Sequence, residues 1–200
     1  MEKWEDKLPP RARERLAKIR ISSEDRERIK NMEKLKSFLS QFYQGNLSPD
    51  DLAKKIEEFQ GKEKEFLIKE AQLRLVSSLS LQISSPDFKK RGKAILLLEK
   101  LKTQGKYQLI KEEINSLGSL IKRCLEEKNR AYEKLKNEVE NNPELRIRKV
   151  RSEEGEVLIQ LSVDEAVRAS TQWKDFISRY ETICGSEFSK SVERIKKMVG

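Results

Sequence analysis

The most sustained apolar rhythm in the chain runs from Tyr107 to Val139. With Tyr107 as position a, the a/d positions are Tyr107, Ile110, Ile114, Leu117, Ile121, Cys124, Lys128, Ala131 and Leu135. Gaps alternating between three and four are the 3.5-residue period that keeps one seam on one side of a helix. Lys128 is its single polar member, and Leu120, Leu125 and Tyr132 widen the stripe. A stripe of that width suits the core of a bundle better than a narrow zipper. The pattern predicts one long central helix over residues 106–141.

Shorter helical patterns precede it. Residues 1–10 read as a polar leader containing Trp4 and Pro9-Pro10, and Arg11 to Arg20 begin a short helix. Ser22 or Ser23 offers an N-cap to a helix with Ile29, Met32, Leu35, Leu39 and Phe42 on its buried face, stopped by Gly45-Asn46. Ser48-Pro49-Asp50-Asp51 opens the next, with Leu52, Ile56 and Phe59 as its stripe. A third carries Phe66, Leu67, Leu73, Val76 and Leu79 before a serine-rich end. Ser85-Pro86-Asp87 repeats the capping pattern ahead of Phe88, Ile95, Leu97, Leu98 and Leu101. Two stretches thus share the series SPD, QGK and LIKE, which reads as two similar helical hairpins or as reuse of capping residues.

After Asn141-Asn142-Pro143 the apolar period changes to two, through Leu145, Ile147, Val157, Ile159 and Leu161. Arg151 to Gly155 supplies the turn, so residues 144–161 are expected to form a β-hairpin. A lone hairpin is marginal in water, and its apolar side is therefore expected to lie on the helices. Ser162-Val163-Asp164-Glu165 is a capping box opening the last long helix, with Val167, Trp173, Phe176, Ile177 and Tyr180 on its buried face. Gly185 is expected to break it. The fold class is mainly α: a bundle of about six helices around the central one, with the hairpin before C-terminal helices. The expected organisation is a leader over 1–10, the bundle over 11–141, the hairpin over 144–161 and packing helices over 162–200.

Composition narrows the chemistry. There is no histidine, which removes the commonest general base and transition-metal ligand. The two cysteines, Cys124 and Cys184, lack CxxC spacing and read as separate buried thiols in a reducing compartment. Neither GxxxxGK[ST] nor GxGxxG occurs. No cofactor, metal or catalytic group is expected, so the chain does not read as an enzyme. The first twenty residues lack a secretory apolar core, and no apolar run is long enough to span a bilayer. The expected location is cytoplasmic.

Forty-three basic against 34 acidic residues give a net charge of +9. That excess favours anionic partners, although acids are interleaved almost throughout. Arg146, Arg148, Lys149 and Arg151 are the first contact candidates, because in a strand Arg146 and Arg148 would point the same way as a basic ridge. Arg11, Arg15 and Lys18 share a face of the first predicted helix and form a second. Lys89, Lys90, Arg91 and Lys93 cluster near a helix N-terminus, and Trp4 is a candidate anchor for a partner. The expectation is a non-enzymatic helical protein acting through protein–protein contacts, with self-association along the central seam. The alternative is a nucleic-acid-binding accessory protein using the arginine ridge and the basic N-terminal helix.

Overall fold

The computed structural model describes residues 9, 22–60, 63–152 and 155–200. The protein is mainly α, with seven α-helices and one antiparallel hairpin among these residues. It divides into two compact units, up to Ala71 and from Gln72 onward. The boundary falls inside one helix.

In the first unit, α1 (Ser23–Tyr43) and α2 (Pro49–Glu57) are each opened by a serine. Ser22 Oγ accepts the Asp25 N–H at 3.0 Å, and Ser48 Oγ accepts that of Asp51 at 3.1 Å. Such caps satisfy amides that the first helical turn leaves orphaned. Gly45 turns the chain between the two helices at φ +88°, a conformation costly to a residue with a Cβ. Leu35, Leu39, Phe42, Leu52 and Ile56 are buried, while Ile29, expected on the same face, is exposed. The Phe38 and Phe59 rings lie 6.1 Å apart, and Lys55 Nζ sits 5.0 Å from the Phe38 ring centre. α3 (Glu63–Ser77) crosses into the second unit.

The second unit contains α4 (Ser85–Lys100), α5 (Tyr107–Asn141), a 3-10 turn (Pro143–Arg146), β1 (Ile147–Ser152), β2 (Gly155–Gln160), α6 (Val163–Ala169) and α7 (Thr171–Val199). α5 is the predicted long helix, and α7 runs antiparallel along it. Glu113 meets Arg194 at 2.6 Å, Arg123 meets Glu187 at 2.7 Å, and the Tyr132 and Trp173 rings are 5.3 Å apart. The seam residues Ile110, Ile114, Leu117, Ile121 and Cys124 are all buried within the chain. Each such aliphatic side chain contributes about 1.5–3 kcal/mol when removed from water. α7 supplies Cys184, Val192, Ile195 and Val199 as its own buried positions. Cys124 and Cys184 form a disulfide across a sequence separation of 60 residues. They are one covalent link between α5 and α7, not two separate thiols.

α4 approaches α5 closely because glycine occupies two contact points. A Cβ at Gly92 would come within 3.1 Å of Ile114, and one at Gly118 within 2.9 Å of the Phe88 ring. In the last turn of α4, the buried Glu99 carboxylate accepts the Gln72 amide at 2.7 Å and the Lys106 backbone N–H at 2.7 Å. It also pairs with Lys102 at 3.0 Å, and Lys102 donates onward to the Val199 carbonyl at 2.9 Å. Burial pushes the Glu99 carboxyl up, but the hydrogen bonds from Gln72, Lys106 and Lys102 outweigh it and hold the group below the usual range. This network ties the α4–α5 loop to the last turn of α7.

Two sequence expectations change here. The capping box is present, with Ser162 and Glu165 capping reciprocally, but the helix it opens stops at Ala169. Ser170 Oγ donates to the Val167 carbonyl and accepts the Trp173 N–H, ending α6 and capping α7 with one side chain. α7 then passes through Gly185 without a break, since mid-helix glycine costs only about 1 kcal/mol. The two SPD stretches also differ in register. Ser48 is itself the cap of α2, whereas Ser84, one residue before Ser85-Pro86-Asp87, caps α4. Leu67 is buried and its counterpart Leu109 is exposed, so the segments share capping residues and not a packing unit.

Candidate functional site

The hairpin is an element of the second unit that its own helices leave uncovered along its length. Asn142 and Pro143 end α5, and the 3-10 turn redirects the chain into β1. β1 and β2 pair from Ile147↔Gln160 to Ser152↔Gly155. Gly155, at φ +132°, begins the return strand. This register sets the two faces. Ile147, Lys149 and Arg151 share one with Glu156, Leu158 and Gln160, while Arg148 and Val150 share the other with Val157 and Ile159.

Every position of β2 is exposed, as are Ile147 to Arg151 of β1. The most open of their large hydrophobic residues is Leu158, at 64 %. Of the twelve large hydrophobic residues exposed among the described ones, six lie between Leu145 and Ile159. The expectation that the apolar side would rest on helices is therefore corrected. Ile147 and Ile159 fall on opposite faces, so the hairpin has no single apolar side to dock. At its foot a groove of about 350 Å³ opens between Leu135, Val139, Leu145 and Thr171. Val139 and Ala166 in its lining belong with Val167 to a small buried cluster, against which Leu161 packs just after β2 ends.

The arginine ridge is arranged differently from its expected form. Arg146 lies in the 3-10 turn, outside the strand, and its Nε donates to the Leu161 carbonyl at 2.8 Å. Arg148 donates to the Ala169 carbonyl at 2.9 Å, where a cation complements the C-terminal end of α6. These two side chains clamp the hairpin's foot. Lys149 pairs loosely with Glu156 at 3.9 Å, and Arg151 stands directly across from Glu156 in the register. The structure thus keeps Lys149 and Arg151 together on one open face and separates them from Arg146 and Arg148. Trp4, Arg11, Arg15 and Lys18 lie outside the described residues. In the Lys89–Lys93 cluster, Arg91 donates to the Ser78 carbonyl and so serves packing within its unit.

Leu158 is the residue that the alternating pattern passed over. The run Val157-Leu158-Ile159 was its signal: three consecutive apolar residues in a strand must load both faces.

Among the described residues, no cluster of three or more acidic or cysteine side chains is placed to hold a metal ion. No helix is long and apolar enough to cross a membrane. The fold and the open hairpin define a mainly α protein with a projecting β element. The chain belongs to a family described as "Family of unknown function (DUF6657)", whose model matches residues 53–198. That span takes in the disulfide and the hairpin, and excludes α1 and the basic N-terminal cluster. No curated protein and no solved structure matches the chain.

Proposed function

We propose that this protein works without catalysis, through protein–protein contacts, and that its contact element is the β1–β2 hairpin. The supporting observation is the concentration of exposed Val, Leu and Ile on both faces of a two-stranded element. A hairpin of that kind gains little stability by itself, and contiguous exposed apolar surface is typical of interaction sites. The central seam no longer supports self-association, because α7 and its neighbours cover it within one chain. A cytoplasmic location remains part of this reading on one condition. Disulfides are common inside the cells of hyperthermophiles and rare in other cytosols, so the Cys124–Cys184 bridge places that requirement on the host.

Lys149 and Arg151, exposed side by side, favour nucleic acid as the second reading. A photo-crosslinking residue at Leu158, introduced in the native host, separates the two. The proposed function predicts an adduct that survives nuclease and is destroyed by protease. An adduct removed by nuclease, together with affinity that falls linearly in log salt and is lost in Lys149→Glu/Arg151→Glu, would establish the second reading instead. Absence of any adduct at Leu158 would overturn the first.

A further inference from the structure

The two edges of the hairpin are chemically unlike, and the difference selects an occupant. At the hairpin's foot the Leu161 N–H donates to the Arg146 carbonyl at 2.8 Å. Bonded and non-bonded pairs alternate along an antiparallel ladder. Arg148↔Ile159 and Val150↔Val157 therefore direct their N–H and C=O groups at one another. Glu156, Leu158 and Gln160 present theirs outward along β2, as Ile147, Lys149 and Arg151 do along β1. An open edge is a template for another strand unless charge, proline or a bulge protects it. β1 is protected by Arg148, Lys149 and Arg151. β2 carries one charge, Glu156, and then Val157-Leu158-Ile159-Gln160 with neither lysine nor proline.

Resting on the reading of the hairpin as the contact element, we infer that β2 pairs antiparallel with β2 of a second copy of this chain, about a two-fold axis at Leu158. In that register Leu158 faces its own copy, and Glu156 faces Gln160 of the other chain. These are the residues whose backbone groups point outward, so about six hydrogen bonds close the pairing. Val157 meets Ile159 of the other copy at the close, non-bonded positions, where β-branched pairs contribute most. No like charges oppose one another. The same operation on β1 would set Lys149 against Lys149, or Lys149 against Arg151. Pairing β1 with β2 of another copy would match charges but always leave an unprotected β2 edge free and build open chains, whereas the β2 pairing consumes both β2 edges, leaves only the charged β1 edges outward and stops at a dimer. The product is a four-stranded sheet with Val150, Val157 and Ile159 of both copies in one apolar block.

Sedimentation equilibrium of the full chain, combined with amide exchange over a concentration series, tests this. The expected result is a monomer–dimer equilibrium that stops at two copies. The Glu156, Leu158 and Gln160 amides should gain protection with concentration while those of Lys149 and Arg151 do not. Leu158→Lys should abolish the dimer by placing two ammonium groups at the axis, with thermal stability retained because Leu158 is exposed. Assembly that continues past two copies would overturn the isologous pairing. A monomer at every concentration, with the Val150, Val157 and Ile159 amides protected, would overturn self-pairing and leave the hairpin reading intact. If those inward amides exchange freely as well, the hairpin does not stand as described and both readings fail.

Discussion

The α5–α7 pair and the β1–β2 hairpin are built from similar apolar material and end in opposite situations. Along α5 every aliphatic seam residue from Ile110 to Ile121 is buried. The antiparallel helix beside it adds one ion pair toward the N-terminus of α5, and a second next to a disulfide near the middle. In the hairpin, Ile147, Val150, Val157, Leu158 and Ile159 all remain exposed. A helix with one apolar stripe needs one partner face, and this chain supplies it. A strand pair with apolar residues on both faces needs two, and its own chain supplies neither. The first region is thereby a scaffold, and the second, on the function proposed above, finds its complement outside the monomer.

The contrast can be broken most forcefully at the seam. Ile114→Asp places a charge where Ile114 is 5 % exposed, facing the close approach of α4 at Gly92. An unpaired buried carboxylate costs about 4 kcal/mol or more. Circular dichroism should show loss of most helical signal from the second unit. A folded, fully helical monomer would instead mean that the seam is satisfied by another chain.

A smaller loss is expected at the polar network. Glu99→Gln removes the partner of the nearly buried Lys102 and should cost about 3 kcal/mol. Its sign with pH follows from the lowered folded-state pKa of Glu99. The contribution is fully present above the unfolded glutamate pKa and disappears as pH falls through the folded value. Denaturant unfolding at neutral and acid pH should show the parent and the variant converging in acid. A constant difference between them would assign the effect to packing and not to charge.

Much of the scaffold was legible because its determinants are local. The three-four spacing from Tyr107 onward marks α5, and Ser22, Ser48 and Ser162 mark helix starts through bonds to amides three residues away. Period two marks the hairpin in the same way. What escaped depends on juxtapositions that no window contains. The Cys124–Cys184 bridge exists because two helices run antiparallel. The break at Ser170 depends on one hydroxyl serving two helix ends, while Gly185, which looks like the stronger breaker, lies within α7. The arginine ridge depends on where β1 begins, and a start at Ile147 instead of Leu145 moves Arg146 out of the strand and into the clamp on Leu161.

The separation of the hairpin from the helical scaffold is open to measurement. Its most direct test is thermal unfolding of the full chain with residues 147–160 replaced by a short Gly-Ser linker that retains Arg146 and Leu161. Loss of the Arg148 bond to Ala169 is the one described tie from the strands to α6 that this removes. The midpoint should stay within about 4 °C of the parent, the shift expected for roughly 1 kcal/mol in a chain of this size. A fall of about 10 °C or more would show instead that the strands are part of the core.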